Sequence, residues 1–260
     1  MNDVFSVRRF SKYLLFDLNN AKNKFGLSLL ITGLCAIIIF VISTLFSLLD
    51  GNTMQDPGWI NFTSSILATA IITIVYPVKV YGGLTDKKEG SSWLMVPASG
   101  LEKFLSMSII VCIILPLCLY ILLILGNLVV SLFAQDYAVI PQISALFMKD
   151  NEVLENGGLL AWLIWSENIL AFTLGAICFK TGKTGKTILC YFAFGLLVMF
   201  LMMLVFGKLE ITGGLAGELL DNMDARKAQD LVNMAINACN AFAMCGLLAG
   251  IYFRIKTLKH

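Results

Sequence analysis

Residues 105–133 read LSMSIIVCIILPLCLYILLILGNLVVSLF, twenty-nine positions without a single Asp, Glu, Lys or Arg. Roughly 20 apolar residues in a helix cross the ~30 Å hydrocarbon core of a bilayer, so this stretch alone places the chain among membrane proteins. Working outward, five more runs have the same character: Leu27 to Leu49, Ile60 to Tyr81, Leu159 to Phe179, Ile188 to Phe206 and Val232 to Phe253. The composition agrees, with 58% hydrophobic and 14% charged residues against roughly 25% charge in an ordinary soluble domain. The expectation is an all-α membrane protein of six transmembrane helices. It forms one domain over residues 1–260, because the connecting loops are too short to fold alone. Residues 1–26 form a lead, 27–253 the six-helix bundle and 254–260 a tail. A polar lead before the first long run argues against a cleaved signal peptide, so Met1 is expected to stay.

Basic residues near helix ends are retained on the cytoplasmic side. With the N-terminus inside, the inner segments hold 15 of the 19 basic residues, among them Arg8, Arg9, Lys12, Lys22, Lys24, Lys87, Lys88, Lys103, Lys180, Lys183, Lys186 and Arg254. The outer loops keep Lys149, Lys208, Arg226 and Lys227 and hold 11 of the 17 acidic residues. Both termini are therefore expected in the cytoplasm, and the chain in the inner membrane. The net charge of +2 conceals this separation, and no basic stripe with interleaved aromatics suggests nucleic acid.

The lead from Val4 to Phe25 mixes basic residues with Phe5, Phe10, Tyr13, Leu14 and Leu18, a spacing suited to an amphipathic helix lying on membrane lipid. The alternative is a soluble extension. The first cytoplasmic loop, Thr85 to Phe104, carries more information. Ser99 and Glu102 stand at capping-box spacing and start the third span at a fixed point. Pro97 disfavours helix at Val96. What remains, Ser91 to Met95, reads as a short amphipathic piece presenting Trp93, Leu94 and Met95 outward beside Lys87, Lys88 and Glu89. Apolar residues offered this way suit a partner protein; a tryptophan anchored at the lipid interface is the other reading of Trp93. On the outer side, Leu215, Leu219, Leu220 and Met223 recur at helical intervals and suggest a short surface helix.

Chemistry has little to work with. Lys180 to Thr187 reads KTGKTGKT, yet a phosphate-cradling loop needs glycine where Ile177 or Lys180 stands, and a preceding strand; a basic turn between two spans is the simpler reading. The only histidine is His260, so no zinc site or intramembrane base can be assembled around a second one. The seven cysteines all fall within spans, where each reads as a small packing residue. No enzyme activity, metal or cofactor is expected of the chain itself. Glu167 is the acidic residue inside a span, roughly 12 Å below the outer surface, and Asn233, Asn237 and Asn240 share one helical face at similar depth. Glu167, Asn237 and Asn240 are thus candidates for a polar layer lining a transport path, or for interhelical hydrogen bonding alone. Lys79, near the inner end of the second span, is expected to snorkel to the headgroups, and Pro77 and Pro116 to kink their spans.

Six spans, a basic lead, a charged first cytoplasmic loop with a short apolar helix and an acidic loop before the last span resemble a type-2 permease subunit of the ATP-binding-cassette (ABC) transporters. More locally, Trp93 to Ser99 followed by Leu101 to Leu105 resembles a stretch of short permease-like proteins of Bacteroidetes. The resemblance implies that Lys87, Lys88, Glu89, Trp93, Leu94 and Met95 form a coupling loop that docks on a separate ATPase subunit. It also implies that the lead is the connecting interfacial helix, and that the subunit pairs with itself or a related permease. A membrane anchor that only recruits a cytoplasmic partner would share the docking loop. A proton-coupled carrier would instead need Glu167 to titrate.

Overall fold

The computed structural model describes residues 5–50, 57–132, 157–211 and 225–257, and among them every regular element is helical. In chain order these are α1 (Val7–Gly33), α2 (Cys35–Asp50), α3 (Pro57–Tyr81), a 3-10 turn (Gly82–Thr85), α4 (Lys87–Met95), α5 (Gly100–Ile109), a π turn (Ile110–Ile114), α6 (Leu115–Ser131), α7 (Gly157–Cys178), α8 (Lys183–Ile211) and α9 (Ala225–Thr257). Over the described residues the six apolar runs fall in these helices save at Leu34, Leu132 and Phe179, as expected where no water is at hand to satisfy the backbone. Four stretches of the described residues are long and apolar enough to cross a membrane: Val7–Phe46, Thr63–Thr85, Gly100–Ser131 and Asn237–Thr257, with a shorter apolar helix at Trp162–Cys178. The outer-surface helix expected around Leu215 to Met223 lies outside the described residues.

Two expectations about boundaries change. The lead is not a separate interfacial helix, because α1 runs unbroken through the expected junction at Leu27 and ends at Gly33. Nothing between Lys24 and Leu27 breaks a helix except Gly26, which a helix tolerates at a cost of about 1 kcal/mol. The inner face of α1 is an i, i+4 stripe of Tyr13, Asp17, Ala21 and Phe25, all buried, so the lead packs on protein from Tyr13 to Phe25. The second change is the break at Leu34, within the run expected to be one span. A Cβ on Gly33 would stand 2.4 Å from the Leu122 Cβ, so α1 and α6 cross here at a distance that only glycine permits.

The core gathers Phe25 from α1, Ile72 and Tyr76 from α3, Met107 from α5, Ile110 and Val111 from the π turn, Ile169, Leu170 and Ile177 from α7, and Ile251 from α9. The π turn has a local cause. Pro116 has no N–H for the carbonyl four residues back, that of Cys112, and its ring crowds that position. Widening the turn relieves the crowding, and the freed Cys112 carbonyl accepts from Trp162 Nε1 of α7 at 3.0 Å. Close approach also joins α7 to α8, where a Cβ on Gly175 would meet Thr187 Oγ1 at 2.0 Å and its Cβ at 2.8 Å.

The start of α1, α4 with its flanking turns, the α7–α8 turn and the end of α9 meet at one end of the bundle. Arg9 reaches Glu102, Lys183 reaches Gly82 and Asp86, the Thr85 hydroxyl donates to the Phe179 carbonyl at 3.5 Å, and Arg254 Nε donates to the Ile177 carbonyl at 3.4 Å. This polar end draws together segments far apart in sequence. Past its first turns α8 is the opposite: Leu189, Phe192, Phe194, Met199, Phe200 and Met203 are all exposed.

Candidate functional site

The helix expected over Ser91 to Met95 is longer, starting at Lys87. Asp86 holds the extended N-cap conformation, and the Gly90 amide closes the first turn on its carbonyl at 2.8 Å. Its carboxylate turns away from the helix to Lys183 Nζ at 3.3 Å, and that ammonium also reaches the Gly82 carbonyl at 2.5 Å. The basic turn of residues 180–187 is thereby tied to the start of α4. The helix stops where Val96 becomes extended (φ −65°, ψ 125°) in front of Pro97.

The capping box forms as the spacing implies. Ser99 Oγ accepts from the Glu102 amide at 3.2 Å, and Glu102 Oε2 accepts from the Ser99 amide at 2.8 Å. The box is half of what Glu102 does. Its Oε1 accepts from the Ser6 amide at 2.9 Å and from Arg9 at 3.2 Å, so a single carboxylate with no solvent exposure joins the first turns of α5 and α1. The Ser99 and Ser6 amides and the Arg9 guanidinium compensate the burial of its charge.

Trp93 points into the molecule. It packs half-buried against the core, donates from Nε1 to the Tyr13 hydroxyl at 2.9 Å, and lies under Lys103 Nζ at 4.4 Å from its ring centroid. Lys103 also donates to the Trp93 carbonyl at 2.8 Å, capping the last turn of α4 where the helix dipole favours a cation. Met95 points outward instead and is 81% exposed. Glu89 pairs with Lys24 of α1 at 2.8 Å. Both are accessible, which keeps that pair's worth below about 1 kcal/mol. The side chains of Lys87, Lys88 and Leu94 lie outside the described residues.

The second group of expected site residues is looser. Glu167 and Asn237 are partly buried on α7 and α9, two helices packed side by side. Among the described residues no hydrogen bond joins Glu167 to Asn237 or Asn240, and Asn237 Oδ1 is buried without a partner. Other buried polar atoms without a partner are Ser65 Oγ and Tyr76 OH on α3, and Trp165 Nε1 and Ser166 Oγ on α7, which packs against α3. A sequence reading centred on the charged residue passes over these neutral groups.

Sequence reasoning also missed Arg9, Tyr13, Asp17 and Lys103 as partners of the loop. Arg9, Tyr13 and Asp17 stand 80 to 93 residues from their partners Glu102, Trp93 and Ser106 and leave no local trace, and Lys103, ten residues after Trp93, reads as an ordinary basic residue near a helix start. The exception is Asp17, a carboxylate on an otherwise apolar i, i+4 stripe, which a strict reading of the α1 face would have marked. No protein-family model, curated protein or solved structure gives a match to this chain.

Proposed function

We propose that the chain is the membrane-spanning permease subunit of an ABC transporter in the inner membrane, coupling ATP hydrolysis on a separate ATPase subunit to movement of a substrate. In this reading six helical segments span the bilayer: α2 with the end of α1, α3, α5 with α6, α7, α8 and α9. Both termini are cytoplasmic, which agrees with the basic segments meeting at one end of the bundle. The permease works as a dimer, with itself or with a related chain.

One observation carries the proposal. The first loop on the polar end folds as a nine-residue helix, Lys87–Met95, fastened to α1, α5 and α8 rather than left loose. A helix fastened this way works as a lever. Force delivered to its outer face passes through the Trp93–Tyr13 bond and the Lys103 cap into two helices that enter the membrane. Met95, exposed at the tip, is suited to contact the ATPase, since methionine is enriched at interfaces. Trp93 serves as the inner anchor.

The test is co-purification of the chain with a candidate ATPase, followed by ATPase assay in lipid. Met95→Glu removes an outward contact without touching the core, and is expected to weaken complex formation about tenfold. Unchanged binding and unchanged ATPase activity in Met95→Glu, and in Trp93→Ala combined with Leu94→Ala, would end the coupling reading. Intact recruitment with no substrate-stimulated ATPase would point to a membrane anchor instead.

A further inference from the structure

Asp17 is a buried carboxylate without a counter-charge. Only 4% of it is exposed, and both of its hydrogen bonds, from Ser106 Oγ at 2.9 Å and Tyr81 OH at 3.5 Å, fall on Oδ2. Among the described residues its Oδ1 has no hydrogen-bond partner, and no lysine or arginine lies within ion-pair distance. The nearby cations are committed elsewhere: Arg9 to Glu102, Lys24 to Glu89 and Lys103 to the Trp93 carbonyl.

The same residue lines a cleft of about 420 Å³ between α1, the end of α3 and α4, within the roughly 300–1,000 Å³ typical of small-molecule sites. Three aromatic rings, Phe16, Tyr81 and Trp93, and the aliphatic Val80, Leu84 and Val96 form its walls, while Asn20, Lys24 and Glu89 stand at its polar margin. An anion would meet the Asp17 carboxylate. A divalent metal wants six or more oxygens, where this cleft offers the free oxygen of Asp17, the Asn20 side chain and a Glu89 carboxylate already paired with Lys24. A carboxylate set among aromatic rings suits a cation that also carries carbon, because ring faces attract an ammonium group and its attached methylene or methyl groups.

We propose that this cleft binds a small organic ammonium, its nitrogen on the free oxygen of Asp17 and its carbon groups against Phe16, Tyr81 and Trp93. Two sources present that chemistry: a free amine, or the headgroup of an aminophospholipid, whose phosphate could take Lys24 from its exposed pairing with Glu89. Because α1 and α4 share the cleft, an occupant would bridge the docking helix and the first membrane helix whether or not α4 meets an ATPase.

The experiment uses the full chain, delipidated in an uncharged detergent. Calorimetric titration with ethanolamine and with choline reads the free amine. Native mass spectrometry with phosphatidylethanolamine against phosphatidylglycerol reads the headgroup. One saturable site for a free amine, or retention of phosphatidylethanolamine over phosphatidylglycerol, is the expected result. Asp17→Asn preserves shape and should weaken that binding by about tenfold or more. Phe16→Ala, at a residue 55% exposed and thus safe for folding, should weaken it severalfold. Lys24→Ala should weaken only the phospholipid. No saturable binding of any of the three amines, or binding indifferent to both Asp17→Asn and Phe16→Ala, overturns the proposal.

Discussion

The polar end of the bundle and the long helix α8 solve opposite problems. At the polar end, residues scattered along the chain are held by directed contacts: one carboxylate on two helix starts, one ammonium on a helix end, one indole on a phenol. Along α8 direction is almost absent. Its first turn is fixed by Lys183 and Thr187, and beyond that the Tyr191 hydroxyl donates to Asn168 at 2.7 Å while Leu189, Phe192, Phe194, Met199, Phe200 and Met203 stand large, apolar and outward. Exposed apolar surface of that extent is at home in lipid, where Leu and Phe are exchangeable. Position is therefore specified at one end of the molecule and only permitted along the other.

Glu102→Ala breaks that contrast hardest. It removes the acceptor for the Ser6 and Ser99 amides and leaves Arg9 without its carboxylate, so a loss of about 3 kcal/mol is expected in unfolding by denaturing detergent. Next in size is Gly175→Ala, which forces a methyl group against Thr187 and should destabilise by about 2 kcal/mol by loosening the single firm end of α8. A melt showing no change there would mean that α8 is held by something other than its first turn.

Asp17 sharpens the comparison from within the polar end, because its carboxylate is buried with no cation beside it among the described residues, where Glu102 has Arg9. Without added ligand, Asp17→Asn keeps the shape while removing a buried charge, and should leave the protein as stable or up to about 1 kcal/mol more stable in the same denaturation measurement. The smallest effect belongs to α8: Phe192→Leu, on an exposed position, should stay within about 0.5 kcal/mol.

The same contrast explains what could be read from the chain beforehand. Apolar runs, the stop before Pro97 and the Ser99–Glu102 box are written in neighbouring residues, and each is present in the structure. Trp93 was expected to face outward, or to anchor at the lipid interface, because the five residues from Ser91 to Met95 give little periodicity to argue from. What turns it inward is Tyr13, eighty residues earlier, together with Lys103, whose burial nothing nearby announces. The continuity of α1 into the first apolar run was missed for a different reason. A change of composition at Leu27 looks like a boundary, yet helical hydrogen bonding takes no notice of polarity. Of the candidate site, the location of α4 was legible, and its fastening was not.

The π turn at Ile110–Ile114 bears on all of this through phase. Buried positions step by four along this segment, through Lys103, Met107, Val111, Leu115, Leu119, Leu123 and Asn127. A uniform α-helix turns 400° in four residues, so such a stripe would wind away from the core by about 40° at each step. One wide turn takes up part of that rotation halfway along. Deleting a single residue between 110 and 114 would advance one half against the other by about 100°, carrying Glu102 and Ser106 off α1 while Leu119 and Leu123 kept their places. The bulge acts as a timing mark, setting when the polar end and the apolar bundle come round to face the same neighbours.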